Sequence, residues 1–195
     1  LTADDITLLP MFTAQGYFTR QVIPAEMGLS ARSAIRMTKT LGEHPKVAEI
    51  IQSRLRDALT TAWLRPDDVA VAVIGHGTKN NPTSRAATEA QAEMLRTLQL
   101  ASEVVAVYLD DDPDIPSVYE MTEAPVIIAI PYFLAAGSHT SEDVPGALGL
   151  PDGETDAVIN GRRVIYTPPI GAHGGLTDIL LSLIADGGAN PVPRP

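Results

Sequence analysis

Asp67-Asp68-Val69-Ala70-Val71-Ala72-Val73-Ile74-Gly75-His76-Gly77 decides the fold class of this chain. The run from Val69 to Ile74 is apolar without alternation, the pattern of a strand covered on both faces. It stops at Gly75-His76-Gly77, and Pro82 then stands where the first turn of a helix tolerates a residue lacking an N–H. Ala87, Ala90, Met94 and Leu98 follow at three- and four-residue spacings, which predicts a helix with one face on the sheet.

The alternation continues down the chain. Val104 to Leu109 reads as a second strand, ending in the acidic loop Asp110-Asp111-Asp112-Pro113-Asp114. Val126 to Ile130 reads as a third, ended by Pro131 because a central strand cannot spare the missing donor. Val164 to Tyr166 is a short fourth, and Leu176, Ile179, Leu180, Leu183 and Ile184 mark one side of a closing helix. This order predicts an α/β protein: an open, mostly parallel sheet with helices on both faces and ligands beyond the carboxyl ends of the strands.

An internal repeat lies over this pattern. Pro10-Met-Phe-Thr-Ala-Gln-Gly16-Tyr-Phe-Thr-Arg-Gln-Val-Ile-Pro24 aligns without a gap on Pro131-Tyr-Phe-Leu-Ala-Ala-Gly137-Ser-His-Thr-Ser-Glu-Asp-Val-Pro145. After a small length change, Leu41-Gly-Glu-His44 aligns on Ile170-Gly-Ala-His173. The first copy has no counterpart of residues 67 to 125. The expected organisation is therefore duplicated halves with the first one incomplete: 1–65 as the C-terminal part of a degenerate first half, 66–190 as a complete unit and 191–195 as a tail. The acidic opening Leu1-Thr-Ala-Asp-Asp5 has neither the basic start nor the apolar stretch of a signal peptide, so a cytoplasmic piece of a longer protein is expected.

Composition narrows the chemistry. With no cysteine, thiolate nucleophiles, Cys-ligated zinc and iron–sulfur clusters are excluded, and any metal must be held by His, Asp, Glu or backbone oxygen. Fourteen Lys and Arg against 24 Asp and Glu give a net charge of -10, the wrong sign for a nucleic-acid partner. Membrane partners are not expected either, since no apolar run approaches the roughly 18 residues of a spanning helix.

Three polar residues fall at strand ends. His76, between two glycines, projects into the crevice or is hydrogen-bonded within its turn. His139 sits in a loop of small residues where Thr140 or Ser141 can cap the next helix, with Asp143 in its first turn as a cap or dipole partner. Asp110, directly after the second strand, can draw a divalent cation toward the imidazoles or accept protons; a solvated loop would look the same. His44 and His173, equivalent in the repeat, read as helix-entry residues or ligands. Phe18 stands where His139 stands in the other copy. A phenyl ring binds no metal, so the first copy keeps only a wall of a pocket. Tyr17, Phe18 and Tyr132 can pack on a flat ligand, whereas Phe12 and Phe133 read as core.

These motifs, Ile74-Gly75-His76-Gly77 after a strand and Pro131-x-Phe133-Leu134-x-x-Gly137-x-His139-x-x-x-Asp143-Val144-Pro145 about 55 residues on, resemble the sirohydrochlorin cobaltochelatases of the CbiX type, within the class II chelatases. The resemblance covers residues 67 to 187 and, as part of a second half, 7 to 60. It implies a chelatase-like fold and a lyase that inserts a divalent metal into a tetrapyrrole without nucleotide hydrolysis. His76 and His139 become the catalytic, metal-binding pair, and Asp110 falls where relatives often place a glutamate. Phe18, Tyr132 and Gly137 become substrate-binding positions, with Arg20, Lys79 and Arg85 offsetting the acidic surface toward a carboxylate-rich macrocycle. No tightly bound cofactor is expected; Co²⁺ is the substrate metal, with Ni²⁺ or Fe²⁺ as alternatives. The rest of a longer parent chain or a second copy is expected to complete the cleft. The rival reading is a non-catalytic metal- or tetrapyrrole-binding module, while a hydrolase is disfavoured by the missing Gly-x-Ser-x-Gly turn.

Overall fold

The computed structural model describes residues 6–29, 35–78 and 82–186. Lys79 and the expected tail at 191–195 lie outside the described residues. The first segment holds β1 (Ile6–Leu8), a π-helix (Phe18–Val22), α1 (Ile23–Glu26), β2 (Ile35–Met37), a 3₁₀ turn (Leu41–Glu43) and α2 (Lys46–Thr61). After a 3₁₀ turn at Pro66–Asp68 come β3 (Val69–Gly75), α3 (Pro82–Leu98), β4 (Glu103–Tyr108), a 3₁₀ turn (Ile115–Ser117), α4 (Val118–Met121) and β5 (Val126–Pro131). A second π-helix (His139–Asp143), α5 (Val144–Ala147), β6 (Asp156–Ile159), β7 (Arg162–Tyr166), a 3₁₀ turn (Ile170–Ala172) and α6 (Leu176–Ala185) follow.

Among the described residues the main sheet has the order β4-β3-β5-β7-β6, parallel except for β6, and β1 and β2 form a separate parallel pair. The apolar run that opened the reading divides by pleat. Val69, Val71 and Val73 enter one core with Ile51, Leu55, Leu95 and Ile179, while Ala72 and Ile74 enter the other with Ile115, Val118, Val144 and Leu148. Both faces are covered by helices, as expected of α/β architecture. Each fully buried Val or Ile side chain contributes roughly 1.5–3 kcal/mol, so the central strands form the rigid frame from which the end loops hang.

Two parts differ from expectation. β6 was not foreseen; it pairs antiparallel with β7 through the tight turn at Asn160 and Gly161, whose φ values are 52 and 79°. Between β4 and β5 the chain makes only a 3₁₀ turn and a single turn of α-helix rather than a full crossover helix.

The two aligned stretches take the same form. Each has a π-helix leading into a four-residue α-helix that carries proline in its first turn. In each, a threonine hydroxyl accepts from and donates to the glycine three residues before it, Thr19 with Gly16 and Thr140 with Gly137. Gly42 N–H donates to Phe12 O and Gly171 N–H to Phe133 O, both at 2.9 Å. A Cβ on either glycine would lie 2.0 Å from a backbone oxygen, of Thr13 or Leu134, so both contacts require glycine. His44 and His173 are equivalent too: each Nδ1 accepts a backbone N–H two residues on, from Lys46 and Gly175. That is a helix-entry role for both.

The copies are locked together by Tyr132, whose hydroxyl donates to Gly42 O at 3.1 Å and Thr13 O at 3.3 Å. Among the described residues no helix is long and apolar enough to cross a membrane.

Candidate active site

β3 ends by handing His76 to the solvent end of the sheet. Beyond the strand pairing, Leu109 N–H donates to Gly75 O at 3.1 Å and Asp110 N–H to His76 O at 2.8 Å, so the backbone fixes Asp110 beside His76. Gly77 turns the chain away at φ +68°, and a Cβ there would come within 2.6 Å of Asp111 Cβ and 2.8 Å of Tyr108 Cβ. Glycine after the histidine therefore lets the acidic loop close onto the turn.

His76 Nδ1 lies 2.9 Å from Gly77 O. A carbonyl only accepts, so Nδ1 carries the hydrogen and Nε2 keeps its lone pair. Asp110 Oδ2 stands 3.4 Å from the same Nδ1. His139 is held in the same way by another acceptor, Asp143 Oδ2 at 2.7 Å from its Nδ1. Both imidazoles are about half exposed, His76 at 45% and His139 at 50% of their side-chain surface, so solutes reach them.

The two rings meet edge to face with centroids 5.2 Å apart. A metal about 2 Å from each ring nitrogen puts the ring centres about 3.2 Å from it, and a tetrahedral angle then separates them by about 5 Å. The pair thus has the spacing of two imidazoles sharing one ion. Phe133 lies tilted against both, 6.2 Å from His76 and 6.4 Å from His139. The rings border a cleft of about 340 Å³ lined also by Met11, Phe12, Thr13, Tyr132 and Gly137. Among the described residues no group of three or more His, Cys, Asp and Glu could hold a metal. Two protein ligands leave positions open to incoming donors.

His76, His139, Asp110, Tyr132 and Gly137 are thus brought to one place. Other expectations are revised. Tyr132 lines the cleft but is 2% exposed with its hydroxyl committed to the first copy, which leaves little of its ring for stacking. Arg85 is turned onto the acidic loop: its guanidinium donates to Asp112 O at 2.5 Å, stands 3.7 Å from Asp111 Oδ2 and lies 5.1 Å above the Tyr108 ring. It thereby braces the loop that carries Asp110. Beneath it the buried Tyr108 hydroxyl donates to Glu89 at 3.0 Å, and burial with that bond pushes the phenol well above its usual range. Phe18 and Arg20 are exposed on the first π-helix, Phe18 edge-on to Tyr17 and Arg20 donating to Gln15 at 3.3 Å. Neither lines the cleft between the histidines.

Two neighbours of the histidines were given other roles from sequence, and a third was not singled out. Phe133 was read as core, yet its ring touches both histidines; its recurrence as Phe12, which lines the same cleft, was the available signal. Met11 joins them at the cleft. Asp143 was read as a cap or dipole partner, but the chain is already helical at Ser138 and no side chain caps it; its carboxylate serves His139.

An open, mostly parallel sheet with helices on both faces and two imidazoles 5.2 Å apart beyond its strand ends is an α/β architecture of the chelatase-like class. The chain belongs to the CbiX family, whose model matches residues 1–58 and 70–187. It is 29% identical to the probable sirohydrochlorin cobaltochelatase of Halobacterium salinarum over 97% of this chain and 74% of that one. Its fold is that of CbiX, described as the terminal enzyme for biosynthesis of siroheme in denitrifying bacteria, at a TM-score of 0.79 and 20% identity over 95% of this chain and 77% of the other. It is shared with the sirohydrochlorin chelatase SirB of Bacillus subtilis subspecies spizizenii in complex with cobalt, at a TM-score of 0.67 and 19% identity over 97% and 72%. At these identities the structural likenesses speak to the fold.

Proposed function

We propose that this protein inserts a divalent metal, Co²⁺ before Ni²⁺ or Fe²⁺, into sirohydrochlorin or a related tetrapyrrole. The observation that carries the reading is the 5.2 Å pairing of His76 and His139, each with its Nδ1–H tied back and its Nε2 lone pair free. Nitrogen donors suit late first-row divalent ions without selecting one of them.

Insertion replaces two pyrrole N–H protons by one M²⁺. Nε2 of His76 and of His139 hold the ion at the open end of the cleft. As macrocycle nitrogens take over the metal, each freed Nε2 accepts one departing proton, and the imidazolium formed at His76 is stabilised by Asp110 behind it. Gly137, with nothing within 4 Å of where a side chain would sit, leaves room for the macrocycle. Phe18 and Arg20 of the first copy are the residues we assign to its periphery, the ring for packing and the guanidinium for a carboxylate; Lys79 is a further candidate cation.

In this reading residues 66–190 form the working unit, and residues 1–65 repeat the scaffold of its later part with Phe18 where that part has His139. His76→Ala and His139→Ala are each expected to abolish the Co²⁺-dependent change in the sirohydrochlorin absorption spectrum with the far-UV circular dichroism unchanged. Wild-type insertion rates in both variants would overturn the two-histidine mechanism.

A further inference from the structure

Asp143 is the unassigned carboxylate nearest this chemistry, and the internal repeat supplies a built-in comparison for it. The two π-helices superpose residue for residue in sequence, Phe18–Val22 on His139–Asp143, and share the Gly–Thr hydrogen bonds that set their start. Across this common scaffold His139 corresponds to Phe18 and Asp143 to Val22. Both members of the pair are apolar in the copy that lacks the imidazole. A carboxylate kept for helix electrostatics or solubility has no reason to track a histidine four residues away. One kept for that histidine does.

The geometry gives the reason. Four residues apart on a helix, the two side chains share a face, and Asp143 Oδ2 lies 2.7 Å from His139 Nδ1. His76 secures the equivalent hydrogen with the backbone carbonyl of Gly77. His139 begins a helix, and its carbonyl accepts the Val144 N–H, so the acceptor for its Nδ1–H comes from a side chain. We infer that Asp143 is a positioning residue: it fixes His139 as the Nδ1–H tautomer with Nε2 toward the cleft, and the two form one functional unit. This deepens the proposed function and rests on it for its consequence, though not for its geometry. A carboxylate on the outer nitrogen of a metal-binding imidazole fixes ring orientation and raises ligand basicity, and losing it typically costs about 10–100-fold in metal affinity.

The test uses the whole protein and Co²⁺ alone. In the wild type, ¹H–¹⁵N correlation spectra of neutral His139 are expected to show the Nδ1–H tautomer. In Asp143→Ala the Nε2–H form should become dominant and Co²⁺ affinity should fall by about 10–100-fold by titration calorimetry. Asp143→Asn, whose amide oxygen still accepts from Nδ1–H, should keep the tautomer and recover most of the affinity. In a His139→Ala background Asp143→Ala should cost nothing further, because its partner is gone. An unchanged tautomer in Asp143→Ala, or an equal loss of affinity with and without His139, overturns the inference. Failure of sirohydrochlorin metallation in the wild type, with tautomer and affinity responding as described, would instead count against the insertion reading and leave the positioning role intact.

Discussion

His76 and Gly77 show how much one residue can be asked to carry. The histidine is useful because the turn beneath it is tight, and the turn is tight because residue 77 has no side chain. In Gly77→Ala a left-handed φ costs about 1–2 kcal/mol before the contacts with Asp111 and Tyr108 are counted. At about 2–4 °C per kcal/mol for a chain of this size, the melting temperature should drop by several degrees, measured by thermal circular dichroism. Co²⁺ affinity should fall as well, since the loop bearing Asp110 must move. A melting temperature within about 1 °C of wild type would show that the turn is not constrained as described. At this scale the pairing of the two histidines was legible because both follow neighbouring parallel strands, whose carboxyl ends open on one crevice. Asp143 was not. A carboxylate in a first helical turn satisfies a capping reading equally well on paper, and only the position of its oxygen tells the two apart.

Among the elements, the central strands were legible because burial on both faces leaves no room for polar alternation, and their ends followed from glycine, proline and the acidic loop. The edge was harder. In β6, Asp156 and Val158 are exposed while Ala157 and Ile159 are half-buried, a weak signal in four residues. Asn160-Gly161 was the stronger clue, as both residues take the positive φ of a tight hairpin turn. The π-helices were not legible at all, since their geometry comes from the Gly–Thr bonds and the strand they leave. Tyr132, at the carboxyl end of β5, is a hydrogen-bonded tie between elements of the two copies. Tyr132→Phe keeps the ring but strips the donor from Gly42 O and Thr13 O, a loss of about 1–3 kcal/mol for buried acceptors. Urea unfolding should shift to a lower midpoint at unchanged slope; an unchanged midpoint would show that these bonds contribute nothing net.

Over the whole molecule the repeat was visible in sequence, but what it means for function depends on which side chains each copy kept. The second copy has His139 with its Asp143, beside His76; at the aligned positions the first has Phe18 and Val22. Within residues 10–24 the first copy thus offers no imidazole to a metal. Phe18→His places an imidazole there with Val22, and no carboxylate, four residues on, and titration calorimetry should still count one Co²⁺ per chain at high affinity. A second tight equivalent would contradict the need for a carboxylate behind the imidazole.

Multiple turnover tests the central claim most directly. With Co²⁺ and sirohydrochlorin both in large excess over the protein, the wild type should yield many equivalents of cobalt-sirohydrochlorin per chain, and His76→Ala and His139→Ala should not exceed the protein-free rate. Product that stops at one equivalent, or variants that match the wild type, would contradict an enzyme built on these two histidines and leave a stoichiometric binding protein in its place.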